Sequence, residues 1–342
     1  MTHGSSPLRA GDGKVKRWRG HARRWAAAAA LLALAACGEP VTPPLTVGMN
    51  PWVGYDPLVL ARDRGLTDAR QLRVVELPSS SETLRHMRNG LLDAATLTLD
   101  ETLRLAETGS DVRIVAVIDA STGGDVVMAA PRIAKPEQLK GEFIAVEDSA
   151  VGALLLQRML QQAGLNRADV KVTNLEVAQH LSALQSGQVA AAVTYEPLAS
   201  AMETAGYHRI FDSRRIPNEI LDVLVVRADV LQQRPEAVDA LLSAWYTGLN
   251  VFLLDPPGAA KSLALGTDLS PGNYEKVLGG LAFFSREASA SELTGSPPAL
   301  VAKGQVVADV LIAIGLIRAA PRWEDLIDSA PIQRLQTKGN TP

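Results

Sequence analysis

Beyond position 44 the apolar residues follow two alternating patterns. Short runs rich in Val, Ile, Leu and Ala occupy 45–49, 72–77, 94–97, 113–118, 126–129, 143–147, 170–174, 189–193 and 220–226, and runs of that length predict buried strands. Between them lie longer stretches whose apolar residues recur every three or four positions, the period of an amphipathic helix. Strands alternating with helices predict an α/β fold.

Most of the runs end in residues suited to start a helix. Asp56 supplies a capping carboxylate and Pro57 a fixed φ for the first turn, with Gly65 closing the helix. Ser79 with Glu82, and Thr98 with Glu101, have capping-box spacing. Asp148-Ser149 opens a helix whose Val151, Leu154, Leu155, Met159 and Leu160 share one face before Gly164 stops it, and Pro197 follows Tyr195-Glu196 in the role of Pro57. Such turns lie at the carboxyl ends of strands, where open α/β sheets bind ligands. One unit recurs. Leu84, Met87 and Gly90 lead into Asp93 to Thr98, and 97 positions later Leu181, Leu184 and Gly187 lead into Ala190 to Glu196. Two similarly built lobes are expected.

The first 36 residues read differently. Lys14, Lys16, Arg17, Arg19, Arg23 and Arg24 precede an unbroken apolar run over 26–36, the layout of a signal peptide. The run is far shorter than the roughly 20 residues of a membrane-crossing helix. It ends Leu34-Ala35-Ala36-Cys37, which resembles a bacterial lipobox, so Cys37 is the expected lipidation site and residues 37–44 a lipidated linker. Several acyl chains of the palmitate class on one residue give stable attachment to a bilayer, whereas a single chain is marginal. Cys37 is also the chain's one cysteine, which excludes disulfides and cysteine metal sites.

Removing residues 1–36 takes away seven basic residues and Asp12, leaving 27 basic and 36 acidic residues and a formal charge of −9. An acidic body argues against nucleic acid as a partner, since phosphate binding needs a basic face. His86, His180 and His208 have no metal-ligand spacing, and phosphate loops, nucleophile elbows and zinc-protease motifs are missing, so no metal, cofactor or catalytic residue is implied.

The chain resembles the nitrate-, taurine- and alkanesulfonate-type substrate-binding proteins of ABC importers, a group with thiamine-precursor-binding relatives. The resemblance rests on Val47-Gly48-Met49-Asn50-Pro51-Trp52-Val53-Gly54-Tyr55, Leu139-Lys140-Gly141 leading to Ala145-Val146-Glu147, Ala163-Gly164-Leu165, Thr194-Tyr195-Glu196-Pro197, Asp222-Val223-Leu224-Val225-Val226 and Pro235-Glu236-Ala237-Val238. It implies the type II periplasmic-binding fold: two α/β lobes joined by two crossover strands. Lobe one is expected at 45–122 plus 228–342 and lobe two at 123–227, with hinges near Ser121-Thr122-Gly123-Gly124 and again from Asp222 to Arg227. Tyr195, where relatives often carry tryptophan, and the Ser79-Ser80-Ser81 loop depart from the family pattern where ligand identity is set.

With the lobes facing each other, Asn50, Trp52 and Tyr55 form one wall of the expected cleft. Ser79, Ser80 and Ser81 offer hydroxyls and helix-start amides suited to an anionic or strongly polar group. Ser149 aims a second helix start into the cleft, Tyr195 and Glu196 add a ring and a carboxylate, and Asp222 braces the hinge or touches ligand. Thr96 and Thr98 complete the candidates. None of these turns contains Lys or Arg, so an amine or a neutral ring suits them equally, given Asp56, Glu196 and Asp222. The expected function is an extracytoplasmic, lipid-anchored monomer that captures a small polar molecule (sulfonate, nitrate or pyrimidine-like) and delivers it to an ABC permease. A ligand-sensing lipoprotein serving a membrane receptor, and an enzyme on the same fold, are the alternatives.

Overall fold

A computed structural model describes residues 1–4, 42–267 and 269–339. The signal-peptide reading, Cys37 and most of the linker lie outside the described residues.

From residue 44 onward the chain builds two sheets. The first comprises β1 (Leu45–Met49), β2 (Leu72–Glu76), β3 (Ala94–Thr98), β4 (Val112–Ser121), β10 (Leu221–Arg227) and β11 (Leu281–Phe283), in the order β11-β4-β10-β3-β1-β2. The second comprises β5 (Asp125–Ala129), β6 (Phe143–Val146), β7 (Lys171–Asn174), β8 (Ala191–Tyr195) and β9 (His208–Asp212), in the order β7-β6-β8-β5-β9. β1 runs parallel to β2 and β3, and β6 parallel to β7 and β8; β3 and β8 then each meet an antiparallel neighbour.

The recurrence seen in the sequence extends to register. Val47 pairs with Ala94, and 97 positions on, Ile144 pairs with Ala191. The helices Ser80–Arg88 and Val177–Gln185 each end before a glycine with positive φ, Gly90 and Gly187, a conformation that glycine adopts without a Cβ penalty. All nine predicted strands are present. β9 and β11 were not predicted: each is a short edge strand with one apolar face, too weak a pattern to stand out from the flanking turns.

Two segments link the sheets, and one is not where the sequence suggested. The first crossing passes through Thr122-Gly123-Gly124 between β4 and β5, as expected. The second was expected at 222–227, yet Leu221–Arg227 lies wholly in the first sheet, paired with both β3 and β4. The chain crosses instead over 213–220, through the short turn Ser213–Arg215, and the boundary at 227 moves back accordingly. The apolar run 220–226 looks like one long connecting strand because it is buried on both faces. The two crossings are tied together: the hydroxyls of Ser121 and Ser213 lie 2.8 Å apart, and the Gly123 N–H donates to Ser213 Oγ at 2.7 Å.

The C-terminal helices cover the first sheet. Pro235–Leu254 is long and apolar enough to cross a membrane, but 56% of its most apolar window is buried inside the protein, as suits a core helix. It packs on the helix Asp56–Asp63, and Gly248 makes that approach possible, because a Cβ there would lie 1.8 Å from the Pro57 carbonyl oxygen. Trp245 is fully buried, Phe252 nearly so, and the Trp323 ring covers Gly304, so these aromatics serve packing. Gly248→Ala is expected to cost about 1–3 kcal/mol, because the clash is with backbone and overpacking cannot relax by a rotamer change. Urea unfolding of the variant, read as a lower midpoint at unchanged slope, checks this.

Candidate functional site

The carboxyl ends of both sheets' parallel strands meet each other. After β1, the chain turns through Asn50, Pro51 and Trp52 into the short turn Val53–Tyr55. After β8, Tyr195 ends its strand opposite them. The Asn50 amide donates to Tyr195 Oη at 3.4 Å, and the Trp52 and Tyr195 rings meet edge to face at 5.9 Å. Two glycines allow the indole its position. A Cβ at Gly124 would lie 2.4 Å from the Trp52 ring, and one at Gly54 would meet both Trp52 Nε1 and Asp119 Oδ2. Asn50, Trp52, Tyr55 and Tyr195 are all buried.

The serine loop closes on the opposite lobe. Ser79 caps the helix Ser80–Arg88 through Glu82 N–H, while the Ser81 N–H donates to Glu147 Oε1 at 2.7 Å and the Ser81 hydroxyl to the Glu176 carboxylate at 3.2 Å. At the exposed rim, Arg104 reaches Asp148 at 3.1 Å. Other candidates are committed to local work. Thr98 forms a full capping box with Glu101, and Ser149 caps the helix Ala150–Gln162 through Gly152 N–H. Thr96 is fully buried, with no partner for its hydroxyl.

Glu196 does not join this group. Its carboxylate accepts from Ser200 and from Arg209, and with Arg209 and Arg214 of its own lobe and Lys276 of the other it lines a separate cavity of about 440 Å³ beside the hinge segment Thr122-Gly123.

Asp222 does belong, and it brings company that the sequence reading overlooked. Tyr55 Oη donates to Asp222 Oδ1 at 2.5 Å, and Asp222 lies opposite Asp119 in the β10–β4 ladder. Asp100, Glu101, Asp125 and Glu147 are buried as well. Burial pushes Glu101, Asp119, Asp125 and Glu147 up to about 7. It drives Asp222 and Asp100 well above the usual carboxylate range, reinforced by the negative charge of Asp119 on the one and of Glu101 on the other. Burial likewise raises Tyr55 and Tyr195, and the charges that add to it are all carboxylates. Each acid has a sequence signal in hindsight. Asp119 and Asp125 interrupt or open apolar runs, Glu147 ends one, and Asp100 and Glu101 follow a cap that explains only one of Glu101's oxygens.

The chain belongs to the NMT1-like family, which it matches over residues 38–264. It is 27% identical over 172 residues to the taurine-binding periplasmic protein of Escherichia coli (strain K12), covering 48% of this chain and 53% of that one. To the putative aliphatic sulfonates-binding protein of the same organism it is 28% identical over 159 residues, covering 45% and 50% respectively. The match thus spans about half the length of these curated relatives. Among solved structures, the alkanesulfonate-binding protein SsuA from Xanthomonas axonopodis pv. citri bound to MOPS superposes with a TM-score of 0.73 at 20% identity, covering 86% of this chain and all of that one. The shared fold is the two-lobed α/β architecture of periplasmic binding proteins.

The raised carboxyl pKa values set the sign of a pH effect. Between about pH 4, where unfolded carboxyls titrate, and about pH 7, the folded protein holds more protons than the unfolded chain, so stability falls as pH rises. One pKa unit corresponds to about 1.4 kcal/mol, roughly 2–4 °C in Tm for a large domain. The Tm of the unliganded protein is expected to drop by more than about 4 °C from pH 5 to pH 8, and Asp119→Asn to reduce that drop; calorimetry at the two pH values checks both.

Proposed function

We propose that the chain is an exported, lipid-anchored solute-binding protein that closes its two lobes around a small polar molecule and delivers it to an ABC importer. The observation that carries this reading is the set of contacts between opposing strand-end turns, Asn50 with Tyr195, Trp52 with Tyr195 and Ser81 with Glu147. They join residues far apart in sequence and leave buried polar atoms of both lobes without partners. Among them are Asn50 Oδ1 and Thr96 Oγ1 of one lobe and Thr194 Oγ1 of the other, which a ligand enclosed between the lobes would satisfy. Contacts drawn from both lobes exist only in the closed form, so binding favours closure, and closure is what a permease can recognise.

The family membership and the periplasmic relatives support the same reading. The ligand set proposed is Asn50, Trp52, Tyr55, Thr96, Tyr195 and Asp222, with the serine loop as latch. Cys37 serves as the membrane anchor, placing the protein in the periplasm or at the cell surface as a monomer. Catalysis is not part of the proposal, since fold alone does not decide between binding and chemistry.

Two measurements test it. A strain lacking the protein should lose uptake of the solute that raises the purified protein's Tm, a rise that grows with concentration as RT ln(1 + [L]/Kd). Retained uptake alongside ligand binding would turn the reading toward a sensor. Cys37→Ser should move the protein from the membrane fraction to the soluble fraction; an unchanged distribution would remove the anchor.

A further inference from the structure

We infer that three arginines of the first lobe, Arg85, Arg88 and Arg104, form a second binding site, one for a tetrahedral oxyanion of the phosphate or sulfate class. The site shares no residue with the ligand set proposed above, and the inference does not depend on that reading.

The helices Ser80–Arg88 and Leu99–Glu107 touch each other beside the first sheet. Arg85 and Arg88 stand one turn apart on the former, and Arg104 is on the latter. All three line one cavity of about 90 Å³, with Leu84 and Leu105 as its apolar wall and Asp148 of the second lobe at its edge; its other lining residues carry no charge.

Charge is the first argument. Arg104 gives Nη1 to the Asp148 carbonyl oxygen at 3.2 Å and Nη2 to Asp148 Oδ1 at 3.1 Å, while Arg85 gives Nη1 to Glu82 at 2.7 Å. Arg88 has no hydrogen bond or ion pair with any described residue. Two acids therefore answer three guanidiniums, in a chain whose acidic residues outnumber its basic ones by 37 to 34. Like charges gathered on adjacent helix faces are unfavourable unless an anion joins them.

Donor geometry is the second. A guanidinium carries five N–H groups in a planar fork that matches two oxygens of a phosphate or sulfate. Arg88 keeps its whole fork free for such a contact, and Arg85 and Arg104 keep most of theirs. Leu84 and Leu105 are both buried and exclude water from one side, which strengthens any ionic contact made there. The cavity's volume equals that of about three waters in the liquid, room for one such anion.

Asp148 gives the site a distinctive signature. It is the acid that competes with a bound anion for Arg104, so removing its charge favours the anion, whereas removing Arg88 disfavours it.

Titration calorimetry of the purified protein at neutral pH tests this, with inorganic phosphate and sulfate as probes and chloride at matched ionic strength as the control. Phosphate or sulfate is expected to bind saturably and chloride not. Arg88→Ala should weaken that binding about tenfold, as loss of a charge-assisted contact does, and Asp148→Asn should tighten it. Arg70→Ala, at an exposed arginine paired with Asp68, should leave it unchanged. Arg88 and Asp148 are exposed, so both variants should keep the unliganded Tm of the parent. A lipid headgroup offers the same phosphoryl chemistry, and vesicle flotation separates the two sources. An Arg88-dependent preference for phosphatidylglycerol over phosphatidylcholine vesicles, without heat from free phosphate, would assign the site to lipid. Absence of both saturable anion binding and that preference would overturn the inference. Anion binding that Arg88→Ala and Asp148→Asn leave unchanged would overturn it equally.

Discussion

The two lobes of this protein bury six carboxyl groups, and desolvation favours the neutral form of each. Asp222, Asp119, Asp100 and Glu101 come from the first sheet and its helices, Asp125 and Glu147 from the second, and all six are buried. The self-energy of buried carboxylates sets the conditions for everything else. The groups must take up protons, draw in a cation or open to solvent. Each proton these acids hold in the folded protein ties its stability to pH.

The scaffold explains why the acids converge. In each lobe the central parallel strands end at the same level, and the turns that follow are the helix starts through which α/β sheets meet their ligands. The repeat of register at 97 positions gives both lobes this construction, so β1 and β3 face β6 and β8 with their carboxyl ends together. Gly54 and Gly124 then let Trp52 settle between the Asp119 carboxylate and the hinge. The Ser121–Ser213 contact ties the two crossings together where they pass between the sheets.

Much of this architecture was legible beforehand, because runs such as 45–49 and 143–147 are buried on both faces and carry a strong apolar signal, and because capping chemistry at Ser79, Thr98 and Ser149 is local. The edge strands His208–Asp212 and Leu281–Phe283 were not, since an edge strand alternates too briefly to register. The second crossing was misplaced because burial on both faces makes a central antiparallel strand look like a connector. At the site, Asn50, Trp52, Tyr55, Tyr195 and Asp222 were foreseen and do come together. Glu196 was foreseen from its position, but its partner Arg209 sits 13 residues away on the neighbouring strand, and periodicity carries no information about such a pairing. The remaining acids were hidden for a different reason: an aspartate within an apolar run reads as an interruption, and only three-dimensional proximity shows that several interruptions meet.

The central claim concerns protonation, and it can be measured atom by atom. A carbon-13 NMR titration of the Asp and Glu side-chain carboxyls in the unliganded protein is predicted to show a group of acids, Asp119 and Asp125 among them, titrating near pH 7, far above the ordinary carboxylate range. Titration of every carboxyl near pH 4 would contradict the account, because it would mean that these acids are solvated or already paired.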